Sequence, residues 1–123
     1  MKLYGYAIVK YRNDDDSCIF YRISFTQEVK EYPGGYENAE PLKTFYSNWD
    51  NFLPKSELGK VQKDIYCTNI KYLIYLLEDD KVKAMSLIKQ YIQKEIDELN
   101  KQINNKQELL GVACGPINEI KEM

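Results

Sequence analysis

The chain has 123 residues, of which 44% are hydrophobic and 29% are charged, and these values are typical of one globular domain with a core of its own. No segment is apolar over a length that would span a bilayer, so we expect no membrane partner. The formal net charge is −2 with cations and anions interspersed. This argues against nucleic acid as a partner, because the phosphates would meet no broad basic surface.

Histidine is absent from the chain, and with it the commonest general base and the commonest metal ligand. The three cysteines, Cys18, Cys67 and Cys114, are odd in number and widely separated, which favours buried free thiols in a reducing compartment over disulfides. The N-terminus lacks the continuous apolar stretch of a signal peptide. We therefore expect a cytoplasmic protein that is not an enzyme and that holds no cofactor or metal.

The N-terminal part predicts a β-hairpin. Alternating Tyr, Ile and Val residues over Lys2–Arg12 indicate a strand that is buried on much of both faces. Residues 13–17 favour a turn because Asn, Asp and Ser side chains bond to the local backbone, and Cys18–Gln27 resumes strand composition. The second strand is predicted to face the core with Ile19, Tyr21, Ile23 and Phe25.

The middle of the chain is less regular. Residues 29–54 are interrupted by Pro33-Gly34-Gly35 and by Pro41, and they predict loops with one short strand at Lys43–Ser47. Ser56–Lys63 is interpreted as a short helix, and Asp64–Cys67 as a last short strand.

Two amphipathic helices are predicted after this region. Thr68-Asn69 provides an N-cap, and the next apolar residues recur at helical spacing, namely Ile70, Leu73, Ile74 and Leu77. A break is predicted at Glu78–Asp80, followed by a longer helix from Lys81 to Leu110 that ends at Gly111. The apolar stripe of the longer helix has a mean spacing of about 3.6 residues and consists of Met85, Ile88, Ile92, Ile96, Leu99 and Ile103.

The order of these elements predicts an α+β fold, in which an N-terminal antiparallel hairpin and sheet pack against the two C-terminal helices, the last of them long. One domain is expected over 1–123, with the sheet and the loops in 1–67, the helices in 68–112 and a tail in 113–123.

The last helix is about 45 Å long at about 1.5 Å per residue, whereas a domain of this size has a radius of gyration of about 14 Å. Either Asn104-Asn105 interrupts the helix, or a partner covers the part that extends beyond the domain. We favour a homodimer with antiparallel helices. Its predicted interface consists of Ile92, Ile96, Leu99 and Ile103.

Three groups of reactive residues have simpler structural interpretations. The acidic run Asp14–Asp16 lacks the spacing of a calcium loop and predicts a solvated turn. Cys114 has no histidine to activate it, and it follows the negative end of the last helix, where a thiolate is disfavoured. The carboxylates of the long helix are typical of a solvated helix face and comprise Glu95, Asp97 and Glu98.

Aromatic residues are concentrated between Tyr32 and Phe52. Tyrosine and tryptophan offer rigid contact area with a polar tip, and both are enriched at interaction surfaces. We predict that Tyr32, Tyr36 and Tyr46, with the cation Lys43, form an exposed contact surface. The larger apolar rings are predicted to fill the core, and these are Phe45, Trp49 and Phe52.

These patterns favour a non-catalytic binding or inhibitor protein that acts by occupying a macromolecular partner, most simply a protein. A phage or mobile-element antagonist of a host protein has this profile. The alternative function is a module that sequesters a small anionic ligand such as a nucleotide by tyrosine stacking and cationic contacts. The residues for that alternative are the only two arginines, Arg12 and Arg22, with Tyr4 and Tyr6 beside them on the hairpin.

Overall fold

The computed structural model describes residues 1–123, and the chain divides into two compact units, 1–89 and 90–123. The strands are β1 Lys2–Arg12, β2 Cys18–Tyr32, β3 Gly35–Asn38, β4 Phe52–Pro54, β5 Gln62–Lys63 and β6 Ile70–Leu76. One α-helix, α1, follows at Lys81–Ala113, and single 3-10 turns lie at Lys55–Glu57 and Ile117–Glu119. All pairings are antiparallel, and the sheet order is β4-β3-β2-β1-β6-β5. The α+β class is confirmed, but the prediction of two helices is wrong.

The predicted hairpin is confirmed, with β1 and β2 in register from Lys2 opposite Glu28 to Arg12 opposite Cys18. The turn is held locally, because the Asp15 carboxylate accepts hydrogen bonds from the Ser17 hydroxyl at 2.6 Å and from the Ser17 amide at 3.0 Å. These bonds lower the pKa of the Asp15 carboxyl below its usual value. The acidic run is therefore the turn that its composition predicts.

The main core lies on one face of the sheet. Along β1 the residues on this face are Leu3, Gly5, Ala7 and Val9, all buried. The ring of Phe25, opposite Gly5 in the register, occupies the space where a Cβ on Gly5 would come within 2.5 Å of it. The segment between β3 and β6 supplies the other side of the core with Phe45, Leu53, Leu58 and Ile65.

The opposite face of β1 and β6 is also buried, at Tyr6, Ile74 and Leu76. The only buried residues of α1 are Ala84 and Ile88, in its first three turns. Successive side chains of a strand point to opposite faces, so these residues lie on the other side of the sheet from the main core. The start of α1 therefore covers one face of the sheet, and the segment between β3 and β6 covers the other.

The beginning of α1 agrees with the sequence prediction. The carboxylate of Asp80 accepts a hydrogen bond from the Lys83 amide at 3.0 Å, which makes Asp80 the N-cap residue. The neighbouring Asp79 accepts a hydrogen bond from the Tyr6 hydroxyl at 2.5 Å. The acidic break of the sequence thus caps the helix and ties it to β1.

The helix predicted at residues 70–77 is wrong, because Ile70–Leu76 is the strand β6. This strand lies between β1 and β5, and five of its seven residues are buried. A strand that is buried on both faces is a continuous apolar run, and over so short a length this run also matches the spacing of a helix.

The short elements predicted in the middle of the chain also differ. Residues 43–47 do not form a strand, and the segment Ser56–Lys63 contains only the end of a 3-10 turn and the two-residue strand β5. Residues 64–67 form a turn with positive φ at Asp64 and Cys67 rather than a strand. Tertiary contacts decide such short segments more than their own propensity does.

Two further expectations are corrected. All three cysteines are exposed rather than buried. The helix continues through Gly111 and ends at Ala113, and the backbone amide of Cys114 still donates to the Leu110 carbonyl at 2.9 Å.

The second unit, residues 90–123, contains the remainder of α1 and the C-terminal 3-10 turn. None of its residues is buried, and only Tyr91, Ile92 and Glu95 are partly buried. This unit therefore has no core of its own.

No helix of the structure combines the length and the apolar composition needed to cross a membrane.

We expect the free energy of unfolding to fall as the pH rises from 10 through 12. Burial, followed by the hydrogen bond to Asp79 and the charge of that carboxylate, raises the pKa of Tyr6 from 10.0 to about 12. Because the unfolded chain loses this proton near pH 10, the stabilisation is fully present below pH 10 and is lost as the pH passes the folded pKa.

Urea unfolding of the wild type and of Tyr6→Phe over this pH range measures the effect. The decline should be shallower in Tyr6→Phe, although part of it should remain because burial also raises the pKa of Tyr75. Equal slopes for the two proteins would contradict the assignment.

Candidate interaction surfaces

The predicted tyrosine surface is not assembled in the structure. Tyr36 is 3% exposed, and the ammonium of Lys55 lies 5.9 Å from the centre of its ring. Tyr46 is partly buried, packs edge-on against Phe25 and accepts a hydrogen bond through its carbonyl from the Tyr75 hydroxyl at 2.6 Å. Only Tyr32 is exposed, at 45%. The expectation that all three rings are exposed is therefore wrong.

Lys43 is exposed, but it holds the loop that follows β3. Its ammonium donates to the Thr26 carbonyl at 2.7 Å and lies 3.4 Å from the Glu40 carboxylate. The buried side chain of Gln27 donates to Asn38 at 2.8 Å and to Glu40 at 3.1 Å in the same network. The cation thus has partners within the fold, and its position alone does not indicate a binding site.

The burial of the large apolar rings differs from the prediction. Phe45 is buried as expected, and Phe52 is partly buried, but Trp49 is 39% exposed. Trp49 lies in a turn that continues with Asp50 and Asn51, both at positive φ. The short polar side chains of Asp and Asn tolerate this backbone conformation, and all three residues of the turn are exposed.

The loop between β3 and β4 forms one wall of an open cleft of about 760 Å³. Tyr66, which is 85% exposed, and Thr68 lie on the other wall. The cleft is wide enough for a small ligand. However, its polar lining consists mainly of amide and hydroxyl groups, and it brings together no cluster of catalytic or metal-binding side chains.

The alternative anion site is only partly assembled. By strand alternation Tyr4, Tyr6, Arg12 and Arg22 share the face of the hairpin that α1 covers near its start. Tyr6 is 2% exposed and is hydrogen-bonded to Asp79, so its ring is closed to a ligand. Arg22 lies opposite Ile8, which is about 13 Å along the strand from Arg12.

Arg22 instead meets cations of α1. A groove of about 370 Å³ runs between Arg22 and the first turns of the helix, and the other residues that line it are Lys81, Val82, Met85, Ser86 and Lys89. Neither Arg22 nor these two lysines form an ion pair. The groove is therefore a local cluster of uncompensated positive charge in a chain with a net charge of −2.

The distal end of the hairpin exposes a set of large apolar side chains that the sequence placed in the core or did not single out. Pairing with β6 stops at Val9, so the hairpin continues beyond it as a two-stranded ribbon. The exposed fractions are 53% for Tyr11, 51% for Ile19, 60% for Phe20 and 44% for Tyr21. Tyr11, Ile19 and Tyr21 continue the face of the main core, and they are exposed because no third element covers that face here, whereas Phe20 lies on the opposite face.

The exposed part of β2 is also a free sheet edge. Its second neighbour, β3, pairs only with residues 29–32. The backbone N–H of Asn13 donates to the Ser17 carbonyl, and the backbone N–H of Val29 donates to the Met1 carbonyl. Because hydrogen-bonded pairs recur at every second residue of an antiparallel pair, the odd-numbered residues of β2 direct their backbone groups to β1. Even-numbered residues therefore direct their N–H and C=O groups outward, and Phe20, Arg22 and Ser24 find no backbone partner there.

A second exposed apolar surface lies on the C-terminal part of α1. We define the helix stripe as Ile92, Ile96, Leu99, Ile103 and Leu110. Leu99, Ile103 and Leu110 line one shallow groove together with Gln102, Lys106 and Gln107. Four of these five side chains are exposed, namely Ile96, Leu99, Ile103 and Leu110.

Comparison with known proteins adds no further constraint on these surfaces. No protein-family model matches the chain, and neither a curated protein nor a solved structure shows significant similarity to it.

Proposed function

We propose that this protein is a non-catalytic binding protein that acts as a homodimer and occupies a macromolecular partner, a protein, through the end of its hairpin. The observation that carries the proposal is the cluster of exposed Tyr11, Ile19 and Tyr21 on one face of the two-stranded ribbon, with the exposed Phe20 on the opposite face. Contiguous exposed apolar side chains are unfavourable in water and commonly mark interaction sites.

The composition of this cluster suits protein recognition. Tyr and Phe side chains bury a large area with few rotatable bonds, so their ordering on binding costs little conformational entropy. Tyr11 lies directly opposite Ile19 in the register, and Tyr21 lies beside them on the same face. This geometry offers a partner one continuous apolar surface of the kind at which binding energy is concentrated.

The helix stripe supports the homodimer. From Ile92 the stripe positions advance alternately by four and three residues to Ile96, Leu99, Ile103, Lys106 and Leu110. This is the spacing with which two helices pack along a common seam. Burial of the stripe against a second copy would remove from water the apolar side chains that residues 90–123 leave uncovered.

The charge at Lys106 favours an antiparallel pair. A parallel pair in register would place each Lys106 against its own copy within an apolar seam, where two like charges are strongly unfavourable. An antiparallel pair centred on Lys101 places Lys106 against Ile96 of the second copy, with the lysine stem on the isoleucine and the ammonium directed to water. The same arrangement brings Ile103 against Leu99 and Leu110 against Ile92.

Occupation of a partner without chemistry is the mode of action of a small inhibitor. We propose this role, of the kind expected for an antagonist encoded by a phage or a mobile element. The anionic-ligand alternative has less support at its original residues, because Tyr6 is closed and the two arginines are separated along the hairpin.

We expect Tyr21→Ala to weaken capture of the partner by about 1–3 kcal/mol, because the ring is part of the exposed cluster. The tagged wild type, Tyr21→Ala and the control Tyr66→Ala would be purified from the source cells and weighed by native mass spectrometry. Tyr66 is a matched control, since it is an exposed tyrosine outside the hairpin.

The wild type and Tyr66→Ala should retain a partner protein in a fixed stoichiometry, whereas Tyr21→Ala should lose it with an unchanged melting temperature. Equal retention by all three proteins would place the contact elsewhere, and no retained partner with any of them would oppose the proposal.

A further inference from the structure

Three features meet at the outer side of β2. The edge presents outward backbone groups at Phe20, Arg22 and Ser24 that have no partner in the sheet. One face beside the edge exposes the apolar side chains of Ile19 and Tyr21. Such a long and apolar edge is normally covered, because its unpaired N–H and C=O groups serve as a template for another strand.

The other face beside the edge is cationic. The Arg22 side chain projects on the side of the sheet where α1 begins, and there it lines the groove with Lys81 and Lys89. The two faces of the edge therefore differ in chemistry, with Ile19 and Tyr21 on one and, on the other, three cations without ion pairs beside the exposed ring of Phe20.

We propose that the edge of β2 binds an extended segment of the partner protein by strand addition, and that this segment alternates acidic and apolar residues. Main-chain hydrogen bonds to Phe20, Arg22 and Ser24 hold the segment. Successive side chains of an added strand point to opposite faces. Its acidic side chains therefore meet Arg22, Lys81 and Lys89, and its apolar side chains meet Ile19 and Tyr21.

The backbone edge decides between a peptide and a nucleic acid. The cations and the exposed Phe20 ring would suit the phosphates and a base of a single-stranded nucleic acid. A nucleic acid, however, has no regular row of N–H and C=O groups that could pair with the outward backbone groups of the edge, and the Ile19 side chain offers its bases no ring to stack on. A peptide strand uses all three features.

The inference rests on the proposed function, because it names the kind of segment that the hairpin recognises. Its test uses a labelled peptide of about eight residues, which is within the usual length of a strand, with alternating Glu and Val. A peptide with Lys in place of Glu and a single-stranded oligothymidylate of similar length serve as comparison probes. Binding is measured by fluorescence anisotropy with the full chain.

The Glu/Val peptide should bind, and the Lys/Val peptide should bind at least about tenfold more weakly because it opposes the cations. Arg22→Glu should remove this preference. Ser24→Pro deletes one outward amide at an edge position that tolerates proline, and it should weaken binding by at least about tenfold. Ser24→Ala keeps that amide and should bind as the wild type does.

Amide hydrogen exchange provides a direct measurement that does not depend on Ser24→Pro folding. Addition of the Glu/Val peptide to the wild type should slow exchange at the outward amides of Arg22 and Ser24. The amide of Ile23 already bonds to β1 and serves as the internal reference.

Unchanged exchange at Arg22 and Ser24 in the presence of bound peptide would overturn strand addition. Preferential binding of the oligothymidylate, dependent on Arg22 and insensitive to Ser24→Pro, would overturn the choice of a peptide. If neither peptide binds while Tyr21→Ala still loses the captured partner, this inference fails and the proposed function stands.

Discussion

Ile103→Glu is expected to convert the proposed homodimer to a monomer. In the proposed antiparallel pair the residue at position 103 would pack against Leu99 of the second copy, and the two-fold axis would place the change in the interface twice. A carboxylate buried there without a partner costs several kcal/mol, which corresponds to a dissociation constant raised by at least about a hundredfold. Sedimentation equilibrium at about 50 µM, compared with the wild type, measures the change.

The matched control is Asn105→Glu, which adds the same charge outside the helix stripe and should leave the dimer intact. Ile96→Glu tests the orientation, because in the antiparallel pair its carboxylate faces Lys106 of the second copy. It should therefore weaken the dimer less than Ile103→Glu does. A wild-type chain that sediments as a monomer would refute the homodimer, and equal effects of Ile96→Glu and Ile103→Glu would refute the antiparallel arrangement.

Tyr36→Ala is expected to be the most destabilising of the tyrosine substitutions in the middle of the chain. The ring is 3% exposed, belongs to the main core and lies beneath Lys55. Its removal leaves a cavity and should lower the free energy of unfolding by about 3–5 kcal/mol. Trp49→Ala should cost less, about 1–2 kcal/mol, since the indole is 39% exposed and belongs to no core cluster.

Urea denaturation of both variants measures the difference. This order of stabilities is the reverse of the one that ring size alone predicts, because residue size favours burial of the tryptophan. If Trp49→Ala proves the more destabilising of the two, the described packing of residues 36–53 is wrong.

The hairpin and the start of the long helix were predictable because their signals are local. The alternation of β1 ends where Asn and Asp residues begin, and the side chain of Asp15 closes the turn by itself. Asp80 caps the helix through its own carboxylate. In each case the residues that determine the element contact one another along a few positions of the chain, so no distant partner is needed to recognise it.

The assignment of residues 70–76 as a strand and the exposure of the hairpin end could not be predicted in the same way. The run from Ile70 to Leu76 has an apolar pattern that fits either a helix or a buried strand. The segment is a strand rather than a helix because it pairs with β1, which lies over sixty positions away in sequence. Ile19 and Tyr21 carry the alternation of core residues, yet they are exposed because no third strand or loop reaches that part of the ribbon.

Periodicity and capping within single segments were sufficient to predict the α+β class, the hairpin with its turn, the start of α1 and the apolar stripe of that helix. Long-range contacts were needed to bury Tyr36, to leave Trp49 exposed and to bring Arg22 near Lys81 and Lys89 beside a free sheet edge. These outcomes depend on which distant segments reach a given residue. Periodicity reports which side of an element is apolar, but it does not report whether another part of the chain covers that side.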